Sequence, residues 1–94
     1  MSIDEVRKKA IALVLAGQYR ILWDHIIKRG HEISCFEIKM TLLHGRHAFD
    51  KDNKDRYVAF GYINAKNVRV VYEFVYTASG ELVLVITAFT DEGD

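Results

Sequence analysis

A histidine and a set of basic residues are where this sequence could do chemistry. His25, Lys28 and Arg29 lie close together, and His25 and Arg29 are four apart, so on a helix they share one side. Histidine changes charge near neutral pH, and a guanidinium grips a phosphate with two parallel bonds. The group reads as a phosphate site with acid–base help, or as a solvated helix face with His25 paired to Asp24 or to a backbone carbonyl. Arg69 and Glu73 alternate onto one face of a later strand, with Arg56 on the strand before it. They form either a substrate platform or cross-strand ion pairs worth a fraction of a kcal/mol.

Other candidates are weaker. His44, His47 and Asp50 are spaced like a metal clip, but Gly45 interrupts the helix between the histidines. No cysteine or second carboxylate completes a ligand set, so neither metal nor cofactor is expected. A histidine at a helix C-terminus is favourable with the dipole in any case. Tyr57, Tyr62, Tyr72 and Tyr76 could stack on bases or fill a core. Cys35 falls in the first turn of a helix without a histidine at motif spacing, and is expected buried or inert. There is no phosphate-cradling glycine loop, nucleophile elbow or paired-carboxylate motif.

The elements that must position these groups follow from periodicity. Ser2 and Glu5 open a first helix over about residues 3–16, with Ile3, Val6, Ala10, Leu13 and Val14 inward and Gly17 as its stop. Residues 20–29 read as a second helix stopped by Gly30, or as a strand over Tyr19–Trp23 followed by a short helix. Ser34 and Glu37 form a capping box, Ile33 and Ile38 a hydrophobic staple, and Gly45 ends a third helix over Cys35–His44. Ala48 and Phe49 suggest a short edge strand, and Asp50–Asp55 a polar, mobile loop.

From Arg56 to Phe89 the chain reads as a three-stranded antiparallel meander, broken at Asn64–Asn67 and at Ala78–Gly80. Val68, Val70, Tyr72, Phe74 and Tyr76 share the face expected under helices; Arg69, Val71, Glu73, Val75 and Thr77 share the other. In the last strand Leu82, Leu84 and Ile86 alternate with Val83 and Val85, so it is expected to be central, doubly covered or against a partner chain. Gly61 marks a bulge or a close backbone approach. The fold class is thus α+β: N-terminal helices packed on a C-terminal antiparallel sheet of three to four strands, in one domain.

The 94 residues carry 13 Lys and Arg against 13 Asp and Glu, for zero net charge. Residues 20–69 hold ten basic and six acidic groups, a local +4, while the tail from Thr90 is −3. That is a modest basic middle, smaller than dedicated nucleic-acid binders carry. A single cysteine fits a reducing compartment, and no apolar run reaches the roughly 18 residues of a membrane span. With a charged rather than apolar start at MSIDEVRKK, a cytoplasmic protein without membrane association is expected.

GQYRI at 17–21, His25, Arg29-Gly30, ISCFEI at 33–38, Gly45, RYVAFGYI, VRVVYEF and VLVITAF together resemble a family of small bacterial domains related to BrnT toxins and the RelE/ParE superfamily. The resemblance covers about residues 15–90. It implies a RelE/BrnT-like sheet with helices on one face and a toxin–antitoxin setting. It further implies metal-free endoribonuclease chemistry, in which a 2′-hydroxyl attacks the adjacent phosphate, or RNA binding without cleavage. The resemblance puts the family histidine at His25, the helix arginine at Arg29 and the middle-strand basic position at Arg69, so His25 and Arg69 are the expected catalytic residues. Arg29, with Lys28 and Arg56 from their charge and position, is an expected RNA or phosphate ligand. The alternative is a non-catalytic module that binds an antitoxin-like protein or a second copy. It would do so through a strand edge or a valine-rich face of Val71, Val75, Val83 and Val85.

Overall fold

The computed structural model describes residues 1–28 and 33–91. The elements are α1 (Ile3–Leu15), β1 (Tyr19–Ile21), α2 (Trp23–Lys28), α3 (Cys35–His44), β2 (Arg46–Phe49), β3 (Tyr57–Ile63), β4 (Lys66–Thr77) and β5 (Gly80–Asp91). The class is α+β, as expected. The sheet is larger than expected: five strands in the order β1-β5-β4-β3-β2, with β1 parallel to β5 and every other pairing antiparallel.

The fifth strand comes from the segment where a helix over residues 20–29 competed with a strand and short helix. The second option is the one adopted, because β5 offers a row of backbone groups on that side. Val83 N–H donates to Gln18 C=O at 3.0 Å and Leu22 N–H to Val85 C=O at 3.0 Å, bracketing the pairs Tyr19–Val83 and Ile21–Val85. Tertiary pairing overrides local helix preference here. β5 is accordingly an internal strand, which explains its apolar residues on both faces. The expected stop at Gly30 lies outside the described residues.

Helices α1 and α3 start as their sequences dictate. Ser2 and Ser34 each accept from the backbone N–H of the glutamate three positions on, and Glu5 and Glu37 return bonds to Ser2 N–H and Ser34 N–H at 3.0 and 2.9 Å. The Glu37 carboxylate is held below the usual range chiefly by that Ser34 backbone bond, and it also pairs with Lys66 at 3.2 Å.

Both helices cover one face of the sheet. Val6, Ala10 and Val14 of α1, Ile26 of α2 and Ile38 and Leu42 of α3 form one buried cluster with Ala59, Val68, Val70, Tyr72, Val83, Val85 and Ala88. Gly61 is a close approach rather than a bulge: a Cβ there would stand 3.0 Å from Thr41 Oγ1 and 3.4 Å from Thr41 Cα. Gly45 is tighter still, since a Cβ would meet Phe60 C=O at 2.4 Å. Absence of two side chains thus lets α3 and its exit lie directly on β3.

The real bulge is in β5. Val85 faces Tyr72 and Thr87 faces Val71, leaving Ile86 as an extra residue between them. Before it Val83 and Val85 point to the helices; beyond it Ala88 does. The opposite face of the sheet carries Arg46, Val58, Phe60, Arg69, Val71, Glu73, Val75, Leu84 and Phe89, and no described helix packs on it.

The loop between β2 and β3 is built from Asx turns. Asp50 Oδ1 accepts from Asp52 N–H and Asn53 Oδ1 from Asp55 N–H, each at 2.9 Å, and Asp50 N–H donates to Arg56 C=O at 3.1 Å. Among the described residues no helix is long and apolar enough to cross a membrane.

Candidate phosphate-binding face

Four residues line up straight across the uncovered face. In register, Arg46 stands opposite Phe60, Phe60 opposite Arg69, and Arg69 opposite Phe89, one residue from each of β2 to β5. The guanidinium carbon of Arg46 lies 5.2 Å from the Phe60 ring centre, and that of Arg69 lies 5.0 Å from Phe60 and 5.4 Å from Phe89. Arg69 is therefore sandwiched between two rings, and Arg46 rests on one. Neither guanidinium has a carboxylate within ion-pair distance among the described residues.

This geometry has a chemical consequence. A guanidinium held against a ring by its flat face still has its N–H groups in the plane, where two of them can take two oxygens of one anion. A depression of about 250 Å³ adjoins the row, lined by Arg46, Phe60, Gly61, Asn67, Val68 and Arg69.

Local sequence explains the register. Asn64 and Ala65 both adopt positive φ, 53° and 63°, so β3 and β4 are joined by a two-residue turn, shorter than the four-residue break expected. The tighter turn sets Arg69 opposite Phe60 rather than Tyr62. The bulge at Ile86 does the rest. In a regular β5, Phe89 would share the helix side with Val83 and Val85; the extra residue turns it out beside Arg69.

The residues singled out from the sequence do not form one cluster. His25 is exposed on α2 and lines a separate depression of about 430 Å³ with Ile21, Leu22, Trp23 and Asp24. All of β5 lies between that depression and Arg69. Lys28 closes α2, and Arg29 lies outside the described residues. Arg56 shares the open face with Arg69, but its Nε sits 3.7 Å from Glu73 Oε2, so it is engaged in the cross-strand pair its spacing allowed.

The remaining candidates resolve into core and surface. Tyr57 and Tyr72 pack edge and tilt against one another and against Phe74, on the helix side. Tyr62 and Tyr76 are exposed. Cys35 is exposed rather than buried, with its Sγ 4.0 Å from Tyr19 Oη. His47 is buried with both ring nitrogens engaged, by Tyr72 Oη at 2.6 Å and Leu42 C=O at 3.0 Å, so it offers no lone pair to a metal shared with exposed His44.

Arg46, Phe60 and Phe89 were not legible as site residues. The available signal was alternation, which puts Phe60 and Arg69 on the solvent face of adjacent strands; what it lacked was the turn length and the bulge. No family model matches the chain, and neither a curated protein nor a solved structure matches it.

Proposed function

We propose that the chain is an RNA-binding domain, akin to RelE/BrnT-like toxins, that holds the phosphate backbone on its open sheet face. The observation that carries this reading is the row in which Arg46 and Arg69 lie over the Phe60 and Phe89 rings with no carboxylate partner among the described residues. Backbone phosphate is the ligand such edges fit in a chain whose middle is mildly basic. Binding is better supported than cleavage. General acid–base chemistry needs a titratable group within hydrogen-bond reach of the phosphate, and His25 lines a different depression on the far side of β5.

Fluorescence anisotropy with a labelled single-stranded RNA tests the reading. Binding should weaken with salt, and Arg46→Ala and Arg69→Ala should each reduce the log–log slope by about 0.7, one phosphate's worth. Arg56→Ala, already paired to Glu73, should leave it unchanged. RNA that does not bind at low salt, or binds indifferently to both substitutions, would remove the proposal. In parallel, an RNA cleavage assay on the purified protein and His25→Ala decides whether catalysis accompanies binding.

A second reading rests on the aliphatic part of the same face. Val58, Val71, Val75 and Leu84 are only partly buried, with no described layer above them. That strip suits a non-catalytic contact with an antitoxin-like protein or a second copy. Val83 and Val85, expected in the strip, are instead fully buried under the helices.

A further inference from the structure

β4 outruns the strand beside it. β3 pairs with Lys66 to Tyr72, and Glu73 to Thr77 continue against β5 alone. The two hairpin turns fix where the backbone groups look. Both connections, Asn64–Ala65 and Ala78–Ser79, have two residues, which makes Ile63–Lys66 and Thr77–Gly80 hydrogen-bonded pairs. Alternating from Thr77, Val75 and Glu73 exchange bonds with β5. Alternating from Lys66, Val68, Val70 and Tyr72 exchange bonds with β3. The two counts agree that Phe74 and Tyr76 turn their N–H and C=O groups to the side where β3 has already ended. Among the described residues no other segment bonds to them there.

This edge opens on a cleft of about 400 Å³ walled by Asp55, Tyr57, Glu73, Phe74, Tyr76 and Glu81. The cleft already shows what it can hold. Lys9 of α1 reaches into it, its ammonium 4.6 Å from the Phe74 ring centre and ion-paired with Glu81. Glu73 is taken by Arg56, which leaves Asp55 as the carboxylate of this wall with no ion-pair partner among the described residues. Tyr76 is 82% exposed and leaves its ring open to a further contact.

We propose that the Phe74–Tyr76 edge is a strand-addition site for an extended segment of a partner protein bearing a lysine or arginine. The added strand continues the line of β3, exchanges backbone bonds with Phe74 and Tyr76, and lays its basic side chain against the Tyr76 ring near Asp55. A second copy suits this edge poorly, because it offers no spare cation to Asp55: Lys9 and Arg56 are already paired with Glu81 and Glu73. The site is independent of the nucleic-acid reading, since it lies at the opposite end of β4 from Arg69.

The test is an NMR titration of the whole ¹⁵N-labelled chain with two capped peptides, Thr-Lys-Val-Lys-Thr and Thr-Glu-Val-Glu-Thr. The lysine peptide should shift the amides of Phe74 and Tyr76 and slow their exchange with solvent several-fold, and the glutamate peptide should do neither. Asp55→Asn should weaken the lysine peptide by up to about fivefold, the worth of one exposed ion pair, with the remaining amide spectrum intact. The proposal is overturned by equal responses to both peptides, by shifts confined to other residues, or by no response at millimolar peptide. Protection of the two amides that rises with protein concentration alone would also overturn it, assigning the edge to a second copy.

Discussion

The hydroxyl of Tyr72 donates to Nδ1 of His47 at 2.6 Å in the interior, between β4 and β2. The direction is set by the other ring nitrogen: Nε2 faces the carbonyl of Leu42 at 3.0 Å and so must carry the proton, leaving Nδ1 as acceptor. Tyr72 is fully buried and His47 is 6% exposed, so neither has water as an alternative partner. Tyr72→Phe removes the donor and strands a buried acceptor, which should cost about 1–3 kcal/mol. Urea denaturation measures it. A loss below a few tenths of a kcal/mol would mean that the pair is not made in solution.

The same burial sets a pH dependence. Desolvation pushes the His47 pKa below its ordinary value of 6.5, outweighing the Leu42 carbonyl bond, with Arg7 adding in the same direction. The folded state therefore binds fewer protons than the unfolded one as pH falls past 6.5. Stability is fully present above that value and declines below it until the folded pKa is reached, by at most about 1.4 kcal/mol per pH unit. Glu37 acts in a separate, more acidic window, its stabilisation being present above 4.5 and lost as pH falls through its lowered folded value. Urea midpoints taken from pH 7.5 to 5 should fall for the native chain and flatten for His47→Gln. An unchanged slope in that variant would assign the effect elsewhere.

Gly61 and Thr41 should be coupled. A methyl at Gly61 meets Thr41 Oγ1 at 3.0 Å and Cγ2 at 3.3 Å, while Thr41 Oγ1 is anchored to Glu37 C=O at 2.7 Å. Gly61→Ala alone should destabilise by about 1–3 kcal/mol through overpacking. In a Thr41→Ala background much of that cost should disappear, and a double-mutant cycle would read the difference. Additive losses would show that α3 moves off β3 instead.

Ala65 holds φ at 63° in the turn after β3, a conformation that costs a residue with a Cβ roughly 1–2 kcal/mol. Glycine relieves that strain at about 0.5–1 kcal/mol of added chain entropy. Ala65→Gly, which creates the preferred Asn-Gly turn, should therefore stabilise by about 0.5–1 kcal/mol and raise Tm by roughly 2–6 °C. A lower Tm would mean that the turn relaxes in solution.

Local chemistry was what the sequence made readable. Both capping boxes, the inward positions Val6, Ala10, Val14, Ile38 and Leu42, and the helix-facing residues Val68, Val70 and Tyr72 follow from spacing alone. Long-range pairing was not readable. A strand over Tyr19–Trp23 is one of two readings of its segment, and only pairing with β5, remote in the sequence, decides between them. The site failed for the same reason. Arg69 was visible by alternation, but its neighbours depend on one turn length and one bulge, each of which changes who stands opposite whom. His47 looked like half of a metal clip because spacing reveals that two histidines are close and hides which of them is inside.

Arg69 supplies the sharpest test of the open face. If its charge alone attracted phosphate, lysine would serve equally well, since both are cationic at neutral pH. The structure puts the guanidinium over two rings, Phe60 and Phe89. A guanidinium, unlike an ammonium, is a flat group that can stack on a ring and offer two N–H groups in one plane. An ammonium stacks less completely and binds as a point charge. Arg69→Lys should therefore keep the salt slope of RNA binding and still weaken affinity, by about 1 kcal/mol or roughly fivefold. Arg69→Ala should lose both affinity and slope. Equal affinity in the lysine variant would reduce the row to a patch of positive charge and remove the stacked geometry from the account of binding.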